Sequence, residues 1–207
     1  MKDRHGTLQV TGTGKIEVAP DEALVRLSVL TEGKTATEAV EANAKQTQAV
    51  IDAVSAEPNH GVTTTGLSVN PIIKYDPEAH TSSIVGFRAT NAVEVKTKVG
   101  YASQIYDAGI KAGANQSSGI TFRVQNEAPH RAEALRAAVK QAHHEAKIVA
   151  DSAKVTLEGP ETIHIDSGGG RIFYRSEALD AKAPATPVIP GDLTISASVQ
   201  ILYRTKS

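Results

Sequence analysis

The stretch from Ala128 to Ala153 constrains this chain more than any other. Ala128, Ala132, Leu135, Val139, Ala142, Ala146, Val149 and Ala153 recur every three or four residues. That is the spacing of one face of an α-helix over about seven turns. Asn126 is placed to cap it, and Pro129 is tolerated in its first turn. Most of the contact positions are alanine, so the helix backbone can lie close to whatever it packs on. A sheet is the expected neighbour, because strands dominate the rest of the sequence.

The clearest strand closes the chain. Leu193, Ile195, Ala197, Val199, Ile201 and Tyr203 alternate without a break after the Pro190-Gly191 turn, the period of a half-buried strand. At the other end Leu8, Val10, Ile16 and Val18 alternate around Gly12-Thr13-Gly14, which reads as a glycine bulge or bend. Beyond the turn Ala19-Pro20-Asp21, the residues Ala23, Val25, Leu27 and Val29 share one face, so these two strands read as a hairpin.

Thr35-Ala36-Thr37-Glu38 has capping-box form and opens a helix over about 35–56, with Val40, Ala44, Thr47, Val50 or Ile51, and Val54 inward. Leu67, Val69, Pro71 and Ile73 alternate next. The proline marks an edge or a bulge. After a loop over 75–83, Val85, Phe87, Ala89, Val93 and Val95 return as the second arm of a hairpin. A shorter helix fits 99–112, with Ala102, Ile105, Tyr106 and Gly109 inward and Gly113 as its left-handed cap. Strands follow at Ile120, Phe122 and Val124, and at Ile163 and Ile165.

The element order is therefore β-β-α-β-β-α-β-α-β-β. It predicts an α+β fold with antiparallel sheet(s) and about three helices, the long alanine-rich third helix packed on a sheet. A single domain over 7–204 is expected, after an N-terminal tail at 1–6. About 24 residues from Ser167 to Pro190, rich in Gly, Ala and Pro, read as a flexible loop within it.

Composition narrows the function. The chain has 207 residues and a formal net charge of −1, with no basic surplus of the kind nucleic acid or an anionic membrane demands. It has no cysteine, which excludes disulfides, thiol catalysis and Cys-ligated metals. No apolar run approaches the ~20 residues of a membrane helix. Met1–Gly6 carries no hydrophobic leader, so the chain is expected either to stay cytoplasmic or to have lost a signal peptide.

Catalytic motifs are scarce in the sequence. Gly12-Thr13-Gly14 lacks the helix that a dinucleotide fingerprint needs, and Gly168-Gly169-Gly170-Arg171 lacks the Lys-Ser/Thr of a P-loop. His143-His144-Glu145 has no second histidine four residues away, and there is no G-x-S-x-G or S-x-x-K. Catalytic, cofactor and metal residues are accordingly expected to be none. Two features stand out. Asn91 lies in register with Phe87, Ala89, Val93 and Val95 on an apolar face, where a buried amide needs partners. With Tyr75 it forms a candidate polar or ligand site. Ile172, Phe173 and Tyr174 place two of the chain's eight Phe and Tyr residues in the long loop, as a candidate subunit contact.

Several segments resemble one known family. Asn70-Pro71-Ile72-Ile73-Lys74-Tyr75 and Gly86–Val95 look like its central hairpin, and Gly113-Ala114-Asn115 with Gly119-Ile120-Thr121-Phe122 is similar to its "GAN…GI.F" signature. Arg131–Leu135 with Ala138, Ala142, Ala146 and Ala150 resembles its long helix. Pro187-Val188-Ile189-Pro190-Gly191 resembles its C-terminal element, and Val10–Gly14 with Pro20-Asp21 its opening. This is the SIMPL-domain family, which includes periplasmic immunogenic and outer-membrane-associated bacterial proteins. The likeness covers about residues 7–204. It implies an envelope or secreted protein with no established enzymatic activity and no accepted catalytic residues. Some members are linked to oxidative stress, and one assembles into a large ring. Two departures are the glycine expected after the long helix, replaced near Lys154-Val155, and the family's usual signal peptide, not found at Met1–Gly6.

The leading expectation is a non-enzymatic, self-assembling envelope protein, a homo-oligomer that binds no nucleic acid and has no transmembrane segment. A monomeric protein- or ligand-binding adaptor module is the alternative. A hydrolase would need a pocket holding a nucleophile or carboxylate pair of perturbed pKa.

Overall fold

A computed structural model describes residues 5–78, 80–166, 173–174 and 186–206, with 173–174 as backbone only. The fold is α+β, as the periodicities predict. In chain order the elements are β1 (His5–Val18), β2 (Glu22–Gly33), α1 (Ala36–Ser55), β3 (Gly61–Asp76), β4 (Thr81–Lys98), α2 (Ala102–Lys111), β5 (Gln116–Arg123), α3 (Ala128–Ala153), β6 (Thr156–Ile165), β7 (Phe173–Tyr174) and β8 (Leu193–Lys206). They form two antiparallel sheets, one in the order β1-β8-β6 with β7 also on β8, the other in the order β3-β4-β2-β5. Contacts divide the chain into two compact units: residues 1–19, 124–177 and 191–207, and residues 20–123 and 178–190.

In the first unit β8 is the central strand, and its six alternating apolar residues are all buried. Strand β1 runs beside it in unbroken register from His5 opposite Lys206 to Val18 opposite Leu193. So the Gly12-Thr13-Gly14 segment makes no bulge. Those glycines serve the helix instead. A Cβ on Gly12 would lie 2.0 Å from the Ala138 carbonyl oxygen, and one on Gly14 1.9 Å from that of Ala134. Backbone meets backbone there, and α3 buries Ala134, Ala138, Ala142, Ala146 and Ala150.

The expected stripe is therefore displaced. Ala142 and Ala146 belong to it, but Val139 and Val149 are exposed. The smallest residues take the contact because only they permit this approach. Lys154 follows the last turn of α3 with φ 57°, and Val155 N–H donates to the Ala150 carbonyl. The helix thus ends in the left-handed way that a glycine usually provides.

In the second unit α1 and α2 pack on the sheet around Val25, Leu27, Val29, Val50, Val54 and Ile105. The capping box forms as the sequence predicts: Glu38 N–H donates to Thr35 Oγ1, and the Glu38 carboxylate accepts from the Thr35 N–H. The inward face of α1 is Ala39, Asn43, Thr47, Val50 and Val54, not Val40 and Ala44. Ala39 fits because it sits against Gly33. Asn43 is buried because its amide donates to two strand carbonyls, Val29 at 2.8 Å and Ala89 at 3.2 Å. Helix α2 closes on Gly113 at φ 114°, with Ala114 N–H donating to the Gly109 carbonyl and Gly113 N–H to that of Ile110. That is a Schellman motif.

Strands β1 and β2 are not a hairpin. β1 pairs with β8, whereas β2 lies between β4 and β5. A turn signal fixes a local reversal but not which strand is bonded next, and here the chain passes from one unit to the other between Ala19 and Pro20. The β3–β4 hairpin does form, with β3 at a sheet edge as Pro71 requires and a register shift between Ile72 and Ile73. Its strands run further than predicted, to Asp76 and from Thr81, so the loop expected over 75–83 is shorter.

Candidate functional site

Two surfaces of unusual character are built by these elements, one in each unit. The first is the far end of the β3–β4 hairpin. Strand β2 pairs with β4 only as far as Gly33 opposite Phe87. Beyond that point β4 pairs, among the described residues, with β3 alone, as Ile72–Asp76 run opposite Gly86–Thr81. A two-stranded ribbon has little of its own to bury, yet this one carries large apolar side chains. Ile73 and Ile84 face each other across it at 62% and 61% exposure, and Tyr75 and Val85 are also exposed. At its tip the Tyr75 hydroxyl lies 3.2 Å from His80 Nδ1.

The second surface is a groove between α3 and β6. A helix about 10 Å wide covers two strands ~4.8 Å apart. The glycines of β1 seat α3 mainly over β1 and β8, so β6 lies at the margin of the helix. Leu135 and Val139 form one wall of the groove, Ile163 and Ile165 the other, and Val199 the floor. The volume is about 630 Å³. A second hollow of about 330 Å³ shares Val139, His143 and Ile163 with it and extends to Leu157 and Tyr203.

Charge along this groove is segregated. Arg136 and Lys140 line the part near Ile165, with His143 between the two hollows. Glu158 stands at the other end, but its carboxylate pairs with His5 at 3.7 Å, and His5 lies opposite Lys206 on the sheet face away from α3. Arg131 joins α3 to the end of β6 by donating to the Asp166 carbonyl at 3.3 Å. The Tyr203 hydroxyl lies 3.5 Å from His143 Nδ1, and burial raises its pKa.

The residues singled out from sequence fall as follows. Asn91 does lie on the helix-facing side of β4, opposite Val29 on β2 and Leu67 on β3, and it is half-buried. Its Oδ1 is buried without a hydrogen-bond partner among the described residues. Tyr75 lies opposite Ser82. It is eight positions along β3 from Leu67, about 26 Å at ~3.3 Å per residue, so Asn91 and Tyr75 do not share a site. Phe173 and Tyr174 form β7, paired with Thr194 and Leu193 of β8. Ile172 lies outside the described residues. Arg136, Lys140 and the apolar walls of the groove were not singled out. Their signal in sequence is the offset between the alanine stripe and the larger residues Leu135 and Val139.

Outside these surfaces, among the described residues, three ion pairs cross between strands. Arg26 donates to Glu94 at 2.8 Å and Arg88 to Glu32 at 2.7 Å, while Arg123 pairs with the buried Glu22. Among the described residues no group of three or more His, Asp or Glu could hold a metal ion, and no helix is long and apolar enough to cross a membrane.

The architecture defines an α+β protein of two helix-covered antiparallel sheets with a projecting apolar hairpin and an apolar groove. The chain belongs to the SIMPL family, described as proteins of unknown function (DUF541), which it matches over residues 8–203. It is similar to the 26 kDa periplasmic immunogenic protein of Brucella melitensis biotype 1, at 26% identity over 222 residues that cover all of this chain and 87% of the relative. The protein of the same name from Brucella abortus strain S19 is similar to the same extent.

Proposed function

We propose that this chain is a non-enzymatic, self-assembling protein of the bacterial envelope, working in the periplasm. The observation that carries this reading is the hairpin arm. Ile73, Tyr75, Ile84 and Val85 are exposed on a ribbon beyond the last pairing of β2. Monomeric proteins seldom leave such clusters open to water, and a second copy would cover them. The arm also exposes the outer edge of β3, a further route to pairing between chains. Ile172, Phe173 and Tyr174 are proposed as a second contact. The periplasmic assignment rests on the names of the Brucella relatives. The non-enzymatic part rests on the sequence, where no nucleophile-and-base or metal-ligand spacing occurs. A link to stress response rests on the family likeness alone.

The test is the solution mass of the parent and two variants, Ile73→Ser with Ile84→Ser, and Ile172→Ser with Phe173→Ser and Tyr174→Ser. A parent mass at a multiple of 21.8 kDa, lowered by the hairpin variant, supports the reading. A parent that stays at 21.8 kDa at every concentration overturns it. The alternative, a monomeric binding module, draws support from a different observation, the groove between α3 and β6.

A further inference from the structure

The α3–β6 groove has two properties that a subunit contact does not require. Its walls and floor are aliphatic: Leu135, Val139, Ile163, Ile165 and Val199. Its charge is at one end, where Arg136 and Lys140 stand one turn apart on α3 without an ion-pair partner among the described residues. Glu158, at the opposite end, turns its carboxylate to His5 and not into the groove. A complementary ligand has a long apolar body and one anionic head.

The volume, about 630 Å³, lies within the range of small-molecule sites, which are mostly apolar with a few placed polar groups. A peptide fits less well. Its amides would meet aliphatic side chains in the groove, and unpaired amides are costly to bury. A peptide strand would find its bonding partners instead at the outer edge of β6, which pairs with no strand among the described residues. An acyl chain has no such groups to satisfy.

We propose that this groove binds a long-chain fatty acid, with its acyl chain between Val139 and Ile163 over Val199 and its carboxylate at Arg136 and Lys140. Charge-assisted hydrogen bonds from a guanidinium and an ammonium hold the head. The exposed apolar surface of β6 loses water when the chain lies down. The site lies wholly within one unit of one chain and stands apart from whether the chain assembles.

The experiment is calorimetric titration of the full chain with myristate below its self-association concentration. Tetradecyltrimethylammonium, with the same chain length and the opposite charge, is the matched probe. The expected result is saturable binding of one myristate per chain and much weaker binding of the cation. Reversing the rim with Arg136→Glu and Lys140→Glu changes two solvent-facing charges and leaves the fold intact. It is expected to weaken myristate roughly tenfold or more. Val139→Asp, at an already exposed position, is expected to abolish binding. Myristate binding that both variants leave unchanged, equal binding of the two probes, or no binding overturns the proposal. So does Val139→Asp lowering the solution mass of a chain that takes up no myristate, since the groove is then filled by a second copy. Repeating the titration on the Ile73→Ser, Ile84→Ser variant separates this site from the assembly contact.

Discussion

Replacing Gly12 by alanine pushes a methyl group into the Ala138 carbonyl of α3, and neither side is a side chain that can swing away. Overpacking of this kind costs about 3 kcal/mol. Denaturant unfolding of Gly12→Ala is expected to show a lowered midpoint with an unchanged slope. Gly66→Ala, whose nearest neighbour would be the Ala92 Cβ at 3.9 Å, is expected to be tolerated. Asn91 gives the opposite sign. Its Oδ1 is buried and unpartnered between Val29 and Leu67. Asn91→Val removes an unsatisfied acceptor from a strand that favours β-branched residues, and a gain of about 1 kcal/mol is expected. A loss on unfolding measurements would mean that the amide has a partner. Tyr203 carries a pH effect. Burial holds its pKa above the usual 10.0. Below that value folded and unfolded chains both keep the proton. As pH rises through it the unfolded chain ionises first, so stability falls until the folded group ionises as well. Thermal unfolding from about pH 9 to about pH 11 is expected to show this decline in the parent and a flatter profile in Tyr203→Phe.

At the scale of elements, the ends of helices were more legible than their faces. Thr35 with Glu38, and Gly113, announced the start of α1 and the end of α2 because caps are local chemistry. The faces of α1 and α3 each came out rotated, because the residue that is buried depends on what the opposite surface permits. Asn43 is buried by two carbonyls on other elements, and the alanine stripe by two glycines more than a hundred residues away. The groove was hidden for the same reason: Val139 and Ile163 read as ordinary core positions until α3 is seen to lie mainly over β1 and β8. Lys154 shows a local rule being strained. A lysine at φ 57° costs more than a glycine there. Lys154→Gly is therefore expected to stabilise the chain by about 1 kcal/mol in denaturant unfolding. A loss would mean that the lysine side chain contributes more than its backbone costs.

For the molecule as a whole, the sequence made the α+β class and the strand-rich order readable, because periodicity is carried by each segment separately. It did not reveal that β1 closes on β8, or that the chain divides into two compact units, because those depend on pairings across nearly the full length. The hairpin arm was visible as a hairpin but not as a projection, since that depends on where β2 stops. The arm is also where the proposed assembly is most exposed to contradiction. Ile73→Ser with Ile84→Ser alters a pair that is about 60% exposed and so leaves the core alone. The most direct measurement is light scattering on the eluting protein across a range of protein and salt concentrations, parent beside hairpin variant. The account predicts a parent mass at a stable multiple of 21.8 kDa and a variant that falls toward 21.8 kDa. A parent at 21.8 kDa throughout, or an assembly whose mass the variant does not change, would contradict it.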